Sequence, residues 1–296
     1  MKQFELRDGK NCYGFLDMET GYDYHEKRVI PGTQSYIRQD SGVSIPGCIC
    51  KNLYDLEKIS MLYVSVEPGV RTPAGDYISH RDCEEITLVL EGKGTLELPD
   101  GMSYELGTDI SFYLAEGQPH RIVNNSTQVL KYVVVYSKTL KNVTRDAFKA
   151  GDVCDSNAGC IVKNINDGIQ KSAPGFTGNR PDDGHLTSII FEGNNICFLH
   201  PIQKAGVSSP AEDFVSHPGV DELEFALSGR GTVIMPDFGI ALRPGIMRYN
   251  APEQPSKTFN NYDEDLRLAV FYSTGKLKNV FRTHKHARVF DVLNEE

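Results

Sequence analysis

Two stretches of the chain pair a histidine with a glutamate five residues further on. His80 and Glu85 form the first pair, and His217 and Glu222 form the second. Each glutamate opens an apolar run that ends in Gly-x-Gly-Thr. Imidazole and carboxylate groups are common ligands of divalent transition metals. The repeated spacing therefore indicates a candidate metal-binding position in each half of the chain.

The two pairs belong to an internal duplication. When residues 59–100 are aligned with residues 196–237, 16 of the 42 positions are identical. The similarity continues downstream, where the segment from Tyr113 matches the segment from Tyr249. A repeat of this size indicates two copies of one domain. We therefore expect a first domain over residues 1–150 and a second over residues 151–296, each of ordinary domain size.

Two segments fall outside this simple alignment. GCICKNL from Gly47 resembles GCIVKNI from Gly159, but at a shorter offset, which predicts about 25 extra residues in the second copy. That region is rich in turn formers, so we expect a long loop over about 166–195. The first forty residues match nothing in the second copy. They predict an N-terminal arm that covers a sheet edge or exchanges with another subunit.

Short strands dominate each copy. Segments such as ITLVLEG and LKYVVVYS are rich in β-branched and aromatic residues and are bounded by Gly, Pro, Asp and Asn. Many short strands separated by turns are typical of sandwiches and barrels, so we expect an all-β chain with two tandem jelly-roll barrels. Side chains alternate across a strand, so Asp76, Ile78 and His80 are expected to face the same side, which inside a barrel is the lumen.

The motifs of both copies resemble those of the cupin superfamily, and the whole chain is similar to a bicupin, which has two tandem double-stranded β-helix domains. In the first copy the residues that match the two cupin motifs are Gly69, His80, Glu85 and Gly92, and then Gly117, His120 and Asn124. Two positions depart from the motifs. Ile78 stands where the family usually has a further histidine, and Ala115 stands where it has a proline.

The resemblance implies a metal site in the first barrel, with His120 beside His80 and Glu85. Two imidazoles and one carboxylate leave coordination positions open for water or substrate. We expect one divalent transition metal, either Fe, Mn, Ni or Zn. Asp76 is a candidate replacement for the histidine missing at Ile78, since it lies on the same strand face. The structural alternative is that the histidines are hydrogen-bonded core residues and Glu85 a surface charge.

The second copy keeps His217 and Glu222 but loses other ligands. Val215 replaces the first histidine of the motif, and Ser256 stands at the position of His120. A neutral serine is a poor ligand for these metals. We therefore expect the second barrel to bind no catalytic metal, and His217 and Glu222 to hydrogen-bond each other.

Composition excludes several classes of function. The net charge of −9 and the pI near 5.4 work against binding to nucleic acid, which needs a positive surface. No apolar run is long enough to span a membrane, and the start lacks a secretory signal, so we expect a cytoplasmic protein. Cys48 and Cys50 form a C-x-C pair that can bind metal, but burial as small hydrophobic residues is favoured.

Three functions of different classes remain. The leading one is a metal-dependent enzyme that acts on a small oxygen-rich metabolite, by oxygenase chemistry or by Lewis-acid lyase, isomerase or hydrolase chemistry. Glu84, Glu116 and Tyr113 are candidates for a further catalytic acid or base, and the sequence does not rank them. The alternative is a non-catalytic bicupin that binds a small molecule or sugar. The third is an assembly role for the second barrel, and a homodimer is expected in each case.

Overall fold

The computed structural model describes residues 13–24, 26–40, 43–152, 159–168, 184–210, 214–236, 238–278 and 280–284. These residues form strands, turns and two short 3-10 helices, Leu140–Asn142 and Ile165–Asp167. No helix within the described ranges is long and apolar enough to cross a membrane.

The strands of the first half are β1 (Tyr13–Asp17), β2 (Tyr22–Asp23), β3 (Arg28–Val29), β4 (Tyr36–Asp40), β5 (Val43–Asp55), β6 (Ser60–Val66), β7 (Arg71–Thr72), β8 (Tyr77–Ser79), β9 (Glu85–Glu91), β10 (Lys93–Glu97), β11 (Ser103–Gly107), β12 (Ile110–Leu114), β13 (Arg121–Val123), β14 (Leu130–Tyr136) and β15 (Asp146–Phe148). Those of the second half are β16 (Cys160–Asn164), β17 (His185–Glu192), β18 (Cys197–Gln203), β19 (Ser208–Ser209), β20 (Phe214–Ser216), β21 (Glu222–Ser228), β22 (Gly231–Ile234), β23 (Gly239–Leu242), β24 (Ile246–Asn250), β25 (Lys257–Phe259), β26 (Leu266–Tyr272) and β27 (Arg282–His284).

The chain divides into two compact units. The first-barrel unit is Pro31–Asp167 with Gly193–Ile196, and the second-barrel unit consists of the described residues of Met1–Ile30, Gly168–Glu192 and Cys197–Glu296. The first unit has a seven-stranded sheet, in the order β16-β12-β9-β14-β6-β5-β4, and a four-stranded sheet, in the order β11-β10-β13-β7. The second has an eight-stranded sheet, β17-β18-β26-β21-β24-β1-β2-β3, and a four-stranded sheet, β19-β25-β22-β23.

Each unit has its own hydrophobic core between its two sheets. In the first-barrel unit, Leu96 and Ile122 of the four-stranded sheet pack in one cluster with Leu62 and Val134 of the seven-stranded sheet. Central strands such as β9 and β14 are almost wholly buried, which explains their nearly unbroken apolar sequences. The all-β prediction of two jelly-roll units is confirmed. Cys48 and Cys50 are buried in the same core, as expected.

The strands at the start of each repeat correct two sequence predictions. β1 pairs with β24 and β16 pairs with β12, so residues 13–17 belong with the second barrel and residues 160–164 with the first. The units therefore do not meet at residue 150. The long loop predicted over 166–195 is wrong for residues 185–192, because they form β17 beside β18. Residues 169–183 of that loop lie outside the described ranges.

Gly-x-Gly-Thr recurs because two chain segments approach closely at each site. A Cβ atom at Gly92 would lie 2.2 Å from the carbonyl oxygen of Val129, and one at Gly229 would lie 2.2 Å from that of Asp265. Both glycines also have positive φ, at 84° and 75°. Only glycine fits a left-handed conformation with no room for a side chain.

Candidate metal centre

A short antiparallel backbone contact brings the two histidines of the first barrel, His80 and His120, close together. The Ile78 N–H donates to the carbonyl of His120 at 3.0 Å, and the His120 N–H donates back to the carbonyl of Ile78 at 2.9 Å. Residues two apart on a strand share a face, so His80 lies on the same side as Ile78. The two imidazole rings are consequently close, with centroids 5.5 Å apart.

Glu85 reaches the same place from the first residue of β9, where it pairs with Leu114 and Tyr136. Its Oε2 lies 3.3 Å from His80 Nε2 and 3.5 Å from His120 Nε2. The ligand atoms of the three side chains all lie within 4.8 Å of one another, and all three residues are buried. The structure thus brings His80, Glu85 and His120 together. It also places Glu85 inside the barrel and not on the surface.

Backbone carbonyls orient both imidazoles. His80 Nδ1 lies 2.5 Å from the carbonyl oxygen of Thr144, and His120 Nδ1 lies 3.2 Å from that of Gln118. A carbonyl only accepts, so each Nδ1 carries a proton, and each Nε2 is the ring nitrogen directed at Glu85. This second contact is the usual way in which a protein fixes a metal-binding histidine.

The ligand atoms of the three side chains face one another, and two of these atoms have no hydrogen-bond partner in the described part of the chain. Within the described ranges, His80 Nε2 and Glu85 Oε2 are buried without a hydrogen-bond partner. A buried polar atom without a partner is rare and costly, and here two such atoms face each other. A divalent cation between them would remove both costs, so the residues present fit a metal ion.

The charges of the site also suit a cation. Burial alone raises the pKa of Glu85, but the His120 and His80 imidazoles and the Thr87 hydroxyl outweigh it and lower the value to about 2. Burial lowers the pKa of His120. At neutral pH the site therefore combines a carboxylate with a neutral His120. Thr87 donates its hydroxyl to Glu85 Oε1 at 2.9 Å, which leaves Oε2 directed at the histidines.

Asp76 does not join the cluster. Strand β8 begins at Tyr77, one residue later, and Asp76 is exposed on the preceding turn. Its carbonyl oxygen accepts a hydrogen bond from Arg121 Nη1 at 3.3 Å. The proposed replacement ligand is therefore not supplied by Asp76, because strand alternation does not extend back to that position.

Glu84 has a structural role, although it was one of the unranked acids. It is fully buried, and its carboxylate accepts from the backbone N–H groups of Asn194 and Asn195, both at 2.6 Å. It also accepts from the Tyr113 hydroxyl at 2.5 Å. Burial, with Glu84 adding to it, raises the pKa of Tyr113, so both groups are engaged in holding the turn at Gly193–Ile196.

Sequence reasoning missed Arg38. This arginine lies on β4, inside the segment that was expected to be an arm, and it is buried. Burial lowers the pKa of His120 and the positive charge of Arg38 adds to that effect, so the guanidinium lies within electrostatic reach of the site. A single arginine in the short strand YIRQD gave no sequence signal.

The second-barrel unit has the same strand arrangement as the first, but different side chains occupy its interior. Val215 and Ser256 form the contact equivalent to that of Ile78 and His120, and His217 Nε2 lies 3.4 Å from Glu222 Oε2. The guanidinium of Arg248, however, also contacts Glu222 Oε2 and lies 3.1 Å from Glu224 Oε2. An arginine inside the apolar sequence IMRYN, where the first copy has ISFYL, was the available signal for it.

Comparison with known proteins agrees with this architecture. Residues 62–136 match the Cupin domain family. A protein of Pseudomonas aeruginosa described as glyoxylate induced has a similar structure, with 12% identity, a TM-score of 0.61, and coverage of 98% of this chain and 96% of that one. No curated protein matches the chain in sequence.

Oxalate decarboxylase of Bacillus subtilis is similar as well. A mutant form of this enzyme aligns with a TM-score of 0.58 at 11% identity, covering 91% of this chain and 79% of that one. Another structure of the enzyme, from work on its Mn(II) centres, has a TM-score of 0.56 at 12% identity, covering 86% and 78%. Residues 62–136 thus match the Cupin domain family, and the chain as a whole shares its two-barrel fold with these solved proteins.

Proposed function

We propose that the first barrel is a metal-dependent catalytic site for a small oxygen-rich metabolite, with His80, Glu85 and His120 as ligands of one divalent Fe, Mn, Ni or Zn ion. The observation that supports this most directly is the pair of buried, unpartnered atoms, His80 Nε2 and Glu85 Oε2, that face each other across 3.3 Å. A structural histidine pair would be expected to satisfy these atoms.

Three protein ligands leave coordination positions for a substrate oxygen. The bound ion would supply Lewis-acid activation of that oxygen or, as iron, activation of dioxygen. Manganese is the first element to look for, because the similar oxalate decarboxylase has Mn(II) centres.

Two neighbouring side chains suit an acidic substrate. Arg38 brings a buried positive charge, and a guanidinium matches the geometry of a carboxylate. Tyr136 lies against His80 with ring centroids 5.1 Å apart, and burial raises the pKa of its hydroxyl, so it stays neutral. We infer that Arg38 orients the substrate and that Tyr136 keeps the His80 ring in place.

The test is elemental analysis of the purified full-length chain by plasma mass spectrometry. We expect about one transition metal per chain in the wild type and in His217→Ala, and none in His80→Ala. His217→Ala is the matched control, because His217 has the same place in the second barrel. Circular dichroism should show that both variants keep their strand content.

A metal-free wild type, expressed in medium that contains all four metals, would contradict the proposal. If metal is bound, turnover of small carboxylic acids under air and under argon separates oxygen chemistry from Lewis-acid chemistry. Bound metal without turnover would favour the alternative, a non-catalytic binding protein. The cytoplasmic location and the homodimer remain predictions.

A further inference from the structure

The second-barrel unit encloses a cavity that the proposed metal chemistry does not use. Its volume is about 50 Å³, which is room for a few water-sized groups. Six of the polar or aromatic residues that line it are His185, Gln203, His217, Glu224, Arg248 and Tyr272. Apolar side chains, including Leu199 and Val270, form other parts of the wall. Small-molecule sites usually have such a mixture of apolar lining and a few convergent polar groups.

Two of the lining residues have buried polar atoms without partners. Arg248 is 2% exposed, and within the described ranges its Nε and Nη1 make no hydrogen bond. Gln203 is fully buried, and its Oε1 likewise has no partner among those residues. An unpaired buried donor or acceptor is costly. The residues that line the cavity therefore include two unpaired donors of one guanidinium, which carries a single positive charge, and one unpaired amide acceptor.

A metal ion is not the group that satisfies these atoms. The cation position of this barrel is already taken by the Arg248 guanidinium, which contacts Glu222 and Glu224 through Nη2. A divalent ion would meet an adjacent positive charge and would have no acceptor to offer to Nε and Nη1. The missing partner must instead accept hydrogen bonds from arginine and donate one to an amide oxygen.

We propose that the second barrel is a metal-independent binding pocket for a small hydroxycarboxylic acid, with Arg248 bound to its carboxylate and Gln203 Oε1 bound to its hydroxyl. Arginine is well suited to a carboxylate, and the cavity volume limits the enclosed part of the ligand to a two- or three-carbon acid or to the end group of a longer one. This pocket goes beyond the function proposed for the first barrel and does not depend on it.

The charges around Arg248 make this binding depend on pH. Burial raises the pKa of Glu224 more than Arg248 lowers it, and with Glu222 also raising it the value is about 7. The pKa of Glu222 itself is held low, because Arg248 and His217 outweigh its burial. With Glu224 protonated, Glu222 and Arg248 balance each other. With Glu224 ionised, the cluster has an excess negative charge that repels an anionic ligand.

Several other polar groups lie near Glu224. Thr258 donates its hydroxyl to Glu224 Oε1 at 3.3 Å, and the nearby Tyr272 stays neutral because burial raises its pKa. His185 stays neutral too, since burial lowers its pKa to about 4. Lys257 lines the cavity, and the His217 imidazole also acts on Glu224. Replacement of Glu224 alone therefore tests the contribution of this one carboxyl group to the pH dependence.

The test is isothermal titration calorimetry with glycolate, the smallest hydroxycarboxylic acid, on the full-length His80→Ala variant. This background removes a metal ligand of the first barrel, and substitutions in the second barrel then show whether the remaining binding belongs there. We expect glycolate to bind at one site per chain. Acetate, which lacks the hydroxyl, should bind about fivefold to tenfold more weakly, and the neutral glycolamide more weakly still.

Three further substitutions in that background locate the site. Gln203→Leu should weaken glycolate binding about fivefold to tenfold and leave acetate binding unchanged. Arg248→Met should abolish binding of both. Glu224→Gln should remove the pH dependence, whereas the parent should lose affinity above about pH 7, approaching tenfold per pH unit. Because Arg248→Met can fail to fold, the comparison of Gln203→Leu and Glu224→Gln decides the matter.

Several results would overturn the proposal. These are no saturable heat with glycolate at any pH from 6 to 8, equal binding of glycolamide and glycolate, or binding that Gln203→Leu and Glu224→Gln leave unaltered. A metal-free wild type would overturn only the function proposed for the first barrel, because the calorimetric signal in His80→Ala does not depend on that metal.

Discussion

At the scale of single residues, the two barrels differ at three equivalent interior positions. In the first barrel, Thr87 on β9 is the cross-strand partner of Phe112 on β12. At the equivalent positions of the second barrel, Glu224 on β21 is the partner of Arg248 on β24. His120 is likewise replaced by Ser256. A buried glutamate must be neutralised, and a guanidinium and a divalent cation are two ways to do so. We infer that a divalent cation neutralises the buried glutamate in the first barrel and that the Arg248 guanidinium does so in the second.

Thr87 offers a direct test of this difference. Its hydroxyl donates to Glu85 Oε1, and such outer contacts typically contribute about tenfold to a hundredfold to metal affinity. Thr87→Val keeps the shape but removes the donor, so we expect metal affinity to fall by at least about tenfold, measured by competition with a chromogenic chelator. Thr232→Val, in which a buried threonine of the second barrel loses its bond to Asn261, is the control and should leave affinity unchanged. Equal affinities in all three proteins would show that Thr87 does not act on a metal ligand.

At the scale of strands and turns, the shared glycines fix where each sheet folds back. Gly92 and Gly229 follow equivalent strands, β9 and β21, and both meet a carbonyl oxygen that leaves no space for a methyl group. Gly101 has a similar φ of 87°, but its Cβ would meet open space. The pair Gly92 and Gly101 therefore separates crowding from conformational strain.

Gly92→Ala should lower the free energy of unfolding by more than about 2 kcal/mol, because it adds a clash to the strain of positive φ. Gly101→Ala should cost about 1 kcal/mol, since it meets strain alone. Urea unfolding followed by circular dichroism measures both. If the two variants were equally stable, the close approach at Val129 would not restrict the turn.

The sequence predicted local features well and distant pairings poorly. Alternation and turn residues identified most strands, and the spacing of His80 and Glu85 predicted that they lie together. GCIVKNI resembles GCICKNL, yet it forms β16 on the β12 edge, while GCICKNL forms part of β5 beside β6. Neighbours in a sheet are set by tertiary packing, which local similarity does not reveal. Arg38 was missed for the same reason.

At the scale of the whole molecule, we expect a homodimer. Ile37 and Ile49 are direct cross-strand partners on β4 and β5, and they are 52% and 39% exposed. β4 is the last strand of its sheet in the described part of the chain, and an edge with outward apolar residues is suited to pairing with a second copy.

Light scattering coupled to size exclusion tests this expectation. The wild type should have the mass of two chains, and Ile37→Lys combined with Ile49→Lys should have the mass of one. Met102→Lys is the control, because Met102 is 49% exposed on a turn away from that pair and should leave the mass unchanged. A monomeric wild type would show that this apolar pair serves another purpose.

The pairing of β1 with β24 has a consequence for biosynthesis. During translation, β1 leaves the ribosome long before β24 exists, whereas β16 follows soon after the strands of the first barrel. The first barrel can therefore close while synthesis continues, but the edge of β1 that pairs with β24 must wait until most of the chain between them has been made. The charged and polar residues of DMETGYD, which begin at the end of β1, suit a segment that stays in water during that interval.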